Sequence, residues 1–153
     1  MTEGQERLYL DDLAVGQRFA SRPQALDAGQ IKAFAEAFDP QPFHLDEAAA
    51  ASSLFCGLAA SGWHTAAVTM RLLVGSVPLA GGVIGAGGEI AWPRPTRPGD
   101  VLIVVSEVLE VTPSRSRPDR GTVLLRSETR NQRGEVVQTL TARLVVPRRP
   151  VAG

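Results

Sequence analysis

Gly62-Trp63-His64-Thr65-Ala66-Ala67-Val68-Thr69-Met70-Arg71-Leu72-Leu73-Val74 carries a single charged residue, Arg71. Trp63, Ala66, Ala67, Met70, Leu73 and Val74 spread around a helical projection. A helix apolar nearly all round belongs in an interior. The small-residue run Ala59-Ala60-Ser61-Gly62 opens it. An α-helix leaves its first backbone N–H groups without intrahelical partners, and such amides can hold an oxyanion or a carbonyl oxygen. Gly62 would let a ligand approach that backbone. Ser61 is either part of such a site or simply the N-cap.

Downstream of this helix comes the glycine-rich stretch Gly81-Gly82 to Gly87-Gly88, with a strand expected over 83–92 and prolines 93, 95 and 98 at its exit. Three β-branched runs follow at 100–111, 122–131 and 136–147. The second alternates through Val123, Leu125, Ser127 and Thr129, as a half-buried strand does. Asn131-Gln132-Arg133-Gly134 reads as the turn of a hairpin, and 114–120 as a polar, arginine-rich loop.

Upstream, the first twelve residues read as a loosely held arm, followed by a strand near 17–24. Asp27 with Gln30 has the spacing of a capping box, and Ile31, Phe34, Ala35 and Phe38 follow at helical intervals. Pro40 disfavours helix in the residue before it, so the helix ends near Asp39. Residues 40–43 read as a stiff extended turn, Asp46 to Ala51 as a short helix with acids in its first turn, and 54–60 as a loop. The fold class is α+β: an antiparallel sheet of about five strands packed on one central apolar helix. We expect a single domain over 1–153 with its ordered core at about 10–147. Dimerisation through the sheet would cover the exposed face and edge.

A chain of 153 residues with 44% apolar and 21% charged residues can bury a sizeable core. Its zero net charge gives no field directed at nucleic acid or an anionic membrane. Lys32 is the only lysine; all other basic residues are arginine, whose planar fork suits phosphates and carboxylates. Cys56 is the single cysteine, so an intramolecular disulfide is impossible and a reducing cytoplasm is expected. The polar N-terminus is no signal peptide, and no apolar stretch is long enough to span a bilayer.

The chain has two histidines, His44 and His64. His44 lies in Asp39-Pro40-Gln41-Pro42-Phe43-His44-Leu45-Asp46, five residues after Asp39, between prolines that stiffen the backbone. A histidine beside a carboxylate is the commonest acid–base arrangement. Spacing alone fits equally a polar loop in which Asp39 caps backbone amides. His64, in the first turn of the central helix, reads as a packed, hydrogen-bonded core histidine, and Cys56 as a loop or core residue. No metal-ligand spacing exists, and the glycines at 81–88 lack the setting of a dinucleotide site.

The run from Asp39 to Asp46, with Phe55 and Ala60-Ser61-Gly62-Trp63 after it and Pro93…Arg97-Pro98-Gly99-Asp100-Val101-Leu102 beyond, resembles the MaoC-like dehydratases and the related (R)-specific enoyl-CoA hydratases over about residues 10–147. The family pattern is Asp-x-Asn-Pro-x-His-x-Asp, with a His-Gly pair opening the central helix. Here Gln41 replaces the Asn and Ser61 the His. The resemblance implies a hot-dog fold, the sheet wrapped around the helix, and a dimer. It implies that Asp39 and His44 are the catalytic pair and that the Gly62 N–H polarises a thioester carbonyl. The implied activity is a hydro-lyase reaction at a 2-enoyl or 3-hydroxyacyl thioester of CoA or acyl carrier protein. Acyl-CoA would be substrate, and neither cofactor nor metal is expected. Arg94 and Arg97, with Arg115 and Arg117, are candidate contacts for CoA phosphates. Two other functions compete: a non-catalytic acyl-CoA-binding module, which the Gln41 and Ser61 departures suggest, and a hot-dog thioesterase. Against the thioesterase, no carboxylate lies between Glu47 and Glu89.

Overall fold

The computed structural model describes residues 6–151. Six strands, β1 (Arg18–Ala20), β2 (Gln24–Ala25), β3 (Gly85–Ala91), β4 (Val101–Pro113), β5 (Arg120–Arg130) and β6 (Val136–Pro147), form one sheet. Its order is β1-β4-β5-β6-β3, with β2 also paired to β4, and every pairing is antiparallel. Helices α1 (Ala28–Phe38), α2 (Pro42–Leu45) and α3 (Glu47–Ala51) lead into the long α4 (Gly62–Ser76). This is the hot-dog arrangement expected. The expected first strand is two short pieces, interrupted at 21–23, where Pro23 can donate no ladder hydrogen bond.

Local signals explain much of the path. The capping box on α1 is present: Asp27 Oδ1 accepts the Gln30 N–H at 2.8 Å, and Gln30 Oε1 accepts the Asp27 N–H at 2.9 Å. The helix ends at Phe38 with Asp39 as C-cap. The expected extended turn over 40–43 is corrected: Pro42 and Phe43 already belong to α2, and Gln41, extended, is its N-cap. Pro42 sits at the first helical position, where its fixed φ is pre-organised and its missing N–H costs nothing. Asp46 ends α2 and caps α3, accepting the Ala49 N–H at 3.1 Å.

Two further expectations change. Residues 1–5 of the expected arm lie outside the described residues. Residues 8–12 are held: Leu8 brackets Pro78 and Ala80 with two 2.8 Å backbone bonds, Leu10 is buried, and Asp11 and Asp12 pair with Arg148 and Arg149 at 3.0 and 2.6 Å. Nor is α4 buried all round. His64, Thr65, Val68, Thr69, Leu72 and Leu73 are buried. Trp63, Met70 and Val74 form an outer stripe, 60%, 43% and 51% exposed.

The inner face of the sheet follows the predicted alternation, with Gly121, Val123, Leu125, Ser127 and Thr129 of β5 all buried. Val68 and Leu72 pack on Leu26, Ile31, Leu102, Val104 and Val137; Leu73 joins a second cluster with Val108, Leu125, Leu144 and Val146. Between the clusters runs a buried polar seam. Thr69 Oγ1 lies 2.6 Å from Thr129 Oγ1 and accepts from Gln138 Nε2 at 3.0 Å, while the Ser106 and Ser127 hydroxyls pair at 2.8 Å. Each buried polar atom named here has a partner, which removes the cost of placing it under the helix.

Candidate active site

The α1–α2 junction brings Asp39 and His44 together. His44 is 4% exposed. Its Nδ1 lies 2.6 Å from the Ala59 carbonyl oxygen. A carbonyl can only accept, so the Nδ1 proton is assigned by this bond. Nε2 then faces Asp39 Oδ2 at 3.3 Å. With neutral imidazole both are acceptors, and the space between them calls for a proton from a third group. Phe43 packs edge-on against the imidazole at 4.6 Å and Phe55 at 6.1 Å, restricting the ring's freedom to turn.

Asp39 is tuned by two neighbours. Gln41 Nε2 donates to Oδ1 at 2.5 Å, and the nearby Ser61 hydroxyl adds a smaller favourable influence on the carboxylate. Burial pushes the Asp39 pKa up. The Gln41 bond, with the favourable influence of Ser61 and His44, outweighs it, and the carboxyl sits below its ordinary value. Both departures from the family pattern therefore converge on one carboxylate. Ser61 is fully buried, and its Oγ accepts the Trp63 N–H at 3.2 Å. It caps α4, and neither it nor Asp39 is among the residues that line the cavity beside His44.

That cavity, about 380 Å³, is walled by Gln41, Phe43, His44, Phe55, Gly62, Trp92 and Arg94 among others. Gly62 is the first residue of α4, so its N–H is one of those the helix leaves unpaired. Its lack of a side chain serves a purpose the sequence did not reveal. A Cβ there would lie 2.7–2.9 Å from three atoms of the Trp92 indole. What approaches the Gly62 Cα is a ring of the protein itself.

The expected phosphate contacts separate. Arg94 lines the cavity, 59% exposed at its side chain, and pairs with Glu135 at 3.3 Å. Arg97 is corrected: its Nη1 donates to the carbonyls of Gly57 and Leu58 at 2.9 and 3.2 Å, and its Nη2 to that of Phe55. Its guanidinium braces the loop that ends in Ala59, the carbonyl that holds His44. Arg115 and Arg117 stand on the β4–β5 loop, away from the cavity lining. His64 stacks on Phe34, rings 4.6 Å apart and 5° from parallel, and its Nδ1 is buried without a hydrogen-bond partner, unlike the satisfied histidine expected. Burial lowers its pKa. Cys56 is an exposed loop residue. Among the described residues no cluster of three His, Cys, Asp or Glu side chains suits a metal ion, and no helix is long and apolar enough to cross a membrane.

The chain as a whole is similar to several known proteins. A crystal structure of a MaoC-like dehydratase from Rhodospirillum rubrum is 66% identical, covering 94% of this chain and 99% of that one, with a TM-score of 0.92. The (R)-hydratase PhaJ1 from Pseudomonas aeruginosa is 27% identical over 96% of this chain and 93% of its own, with a TM-score of 0.76. The uncharacterized protein YdeM of Bacillus subtilis is 35% identical over 129 residues, 82% of this chain and 89% of YdeM. Residues 12–131 match the family described as MaoC-like domain, and the chain belongs to that family.

Proposed function

We propose that the protein is a hydratase/dehydratase acting on 2-enoyl and 3-hydroxyacyl thioesters of CoA or acyl carrier protein. The observation that carries this reading is the Asp39–His44 contact, with His44 held by Ala59 and Asp39 by Gln41, beside a cavity that both His44 and Gly62, the first residue of α4, line.

In the hydration direction a water on the cavity side of the pair donates to His44 Nε2 and Asp39 Oδ2, which lie 3.3 Å from each other. The pair takes one proton as the water oxygen bonds to C3. The electrons of the C2–C3 double bond move toward the thioester oxygen, where the Gly62 N–H at the positive end of α4 stabilises the developing charge. The proton held by the pair is then delivered to C2, and the site returns to its starting state. Dehydration is the reverse. Asp39, kept ionised by its donors, holds the proton-carrying imidazole in place. Arg94 at the cavity wall is the contact for carrier phosphate. The absence of a carboxylate from α4 argues against a thioesterase. The outer stripe of α4 and the edge of β3, which pairs only with β6, support a homodimer that covers both.

The test is loss of enoyl absorbance with crotonyl-CoA and longer 2-enoyl-CoAs. Asp39→Asn and His44→Ala each lower kcat/KM by about 10²–10⁴-fold. Equal rates in all three proteins would overturn the assignment.

A further inference from the structure

We infer that Trp92 is the end wall of the acyl pocket and restricts the enzyme to short acyl chains; this rests on the thioester hydratase reading. Three contacts place its indole. The ring lies where a Gly62 Cβ would be, on the first residue of α4. Its Nε1–H donates to Gln138 Oε1 at 2.9 Å, and Gln138, fully buried, is itself anchored to Thr69 in the polar seam. Trp63 meets it edge-on with ring centroids 5.3 Å apart.

The position of this ring gives it a consequence. Trp92 lines the cavity that holds His44; Trp63 lines a second cavity of about 400 Å³, between α4 and strands β3, β5 and β6. The second cavity is walled mainly by apolar side chains such as Met70, Leu125, Leu140 and Leu144, and has no lining residue in common with the first. Apart from Glu89 it has the chemistry an alkyl tail requires, and neither Asp39 nor His44 lines it. The Trp63–Trp92 contact stands at the boundary between reaction space and tail space. An enoyl group with its thioester oxygen at Gly62 and C3 near His44 meets the indole within a few carbons. The hydrogen bond to Gln138 holds the wall in place, because swinging the indole aside would leave the buried Gln138 Oε1 without its donor.

The test is chain-length selectivity in wild type and Trp92→Ala. Each methylene accommodated or refused by an apolar pocket changes kcat/KM by about tenfold or more. Wild type is expected to favour crotonyl-CoA over 2-octenoyl-CoA by at least that factor, and Trp92→Ala to reduce the ratio by at least about tenfold. Should the alanine variant not fold, Trp92→Leu carries the same comparison. A wild type that accepts both chains equally, or a ratio unchanged by the substitution, overturns the proposal. If wild type turns over no enoyl thioester, the hydratase reading fails. The wall is then read from binding of butyryl-CoA and octanoyl-CoA: a preference for butyryl-CoA lost in the variant upholds it, and equal or absent binding of the two overturns it.

Discussion

Replacing Arg97 with alanine removes three donors at once from the carbonyls of Phe55, Gly57 and Leu58. A hydrogen bond to a charged group contributes about 1.5–3 kcal/mol. The three share one half-buried guanidinium, and water can replace part of what is lost, so the destabilisation expected is about 2–4 kcal/mol. With a urea slope of about 2 kcal/mol/M, the unfolding midpoint drops by about 1–2 M. The loop leads directly to Ala59, whose carbonyl holds His44 Nδ1 at 2.6 Å. Loosening it costs imidazole alignment, and kcat falls more than KM rises. Arg97→Lys restores little, because an ammonium group lacks the planar fork that spans separate carbonyls. Urea denaturation and steady-state kinetics on both variants test this. Unchanged stability and kcat, with KM for the CoA thioester alone raised, would refute the bracing role and return Arg97 to phosphate binding.

Gln41→Ala removes the 2.5 Å bond to Asp39 Oδ1 and raises the Asp39 pKa. The acid limb of the kcat/KM–pH profile therefore moves to higher pH, while a limb that stays in place shows that Gln41 does not tune the carboxylate. Burial holds His64 neutral in the folded chain, its pKa below 6.5. The unfolded chain takes up a proton there as pH falls through 6.5, so stability declines from that point until the folded-state pKa is reached. His64→Leu should reduce the loss between pH 7.5 and 5.5 by up to about 1 kcal/mol, read from urea melts at both pH values; equal losses in the two proteins exclude this contribution. Met70→Glu places a charge in the outer stripe of α4, 43% exposed in the single chain. It should shift sedimentation from dimer toward monomer, and an unchanged dimer would locate the interface elsewhere.

Several features were legible in the chain because their causes lie within a few residues. The Asp27–Gln30 capping box needs only the spacing of one helical turn. The alternation from Val123 to Thr129 states which face of β5 is covered. The Asn131–Gly134 turn closes with a 3.0 Å bond between its own ends, and Asp39 and His44 are joined across five residues by a proline-stiffened turn. Pro42 misled because proline is equally at home in an extended turn and at the start of a helix.

By itself, then, the sequence determined the order of the elements, the buried face of β5 and the nearness of Asp39 to His44. Tertiary structure alone decided what surrounds that pair. Arg97 meets its carbonyl partners 39 to 42 residues away, Trp92 meets Gln138 at a separation of 46, and Ala59 reaches His44 at 15. Gly62 looked like an opening for a ligand and is the seat of an indole. Local pattern is set by backbone geometry over one turn or one pleat, whereas these contacts exist only after the sheet has closed on α4.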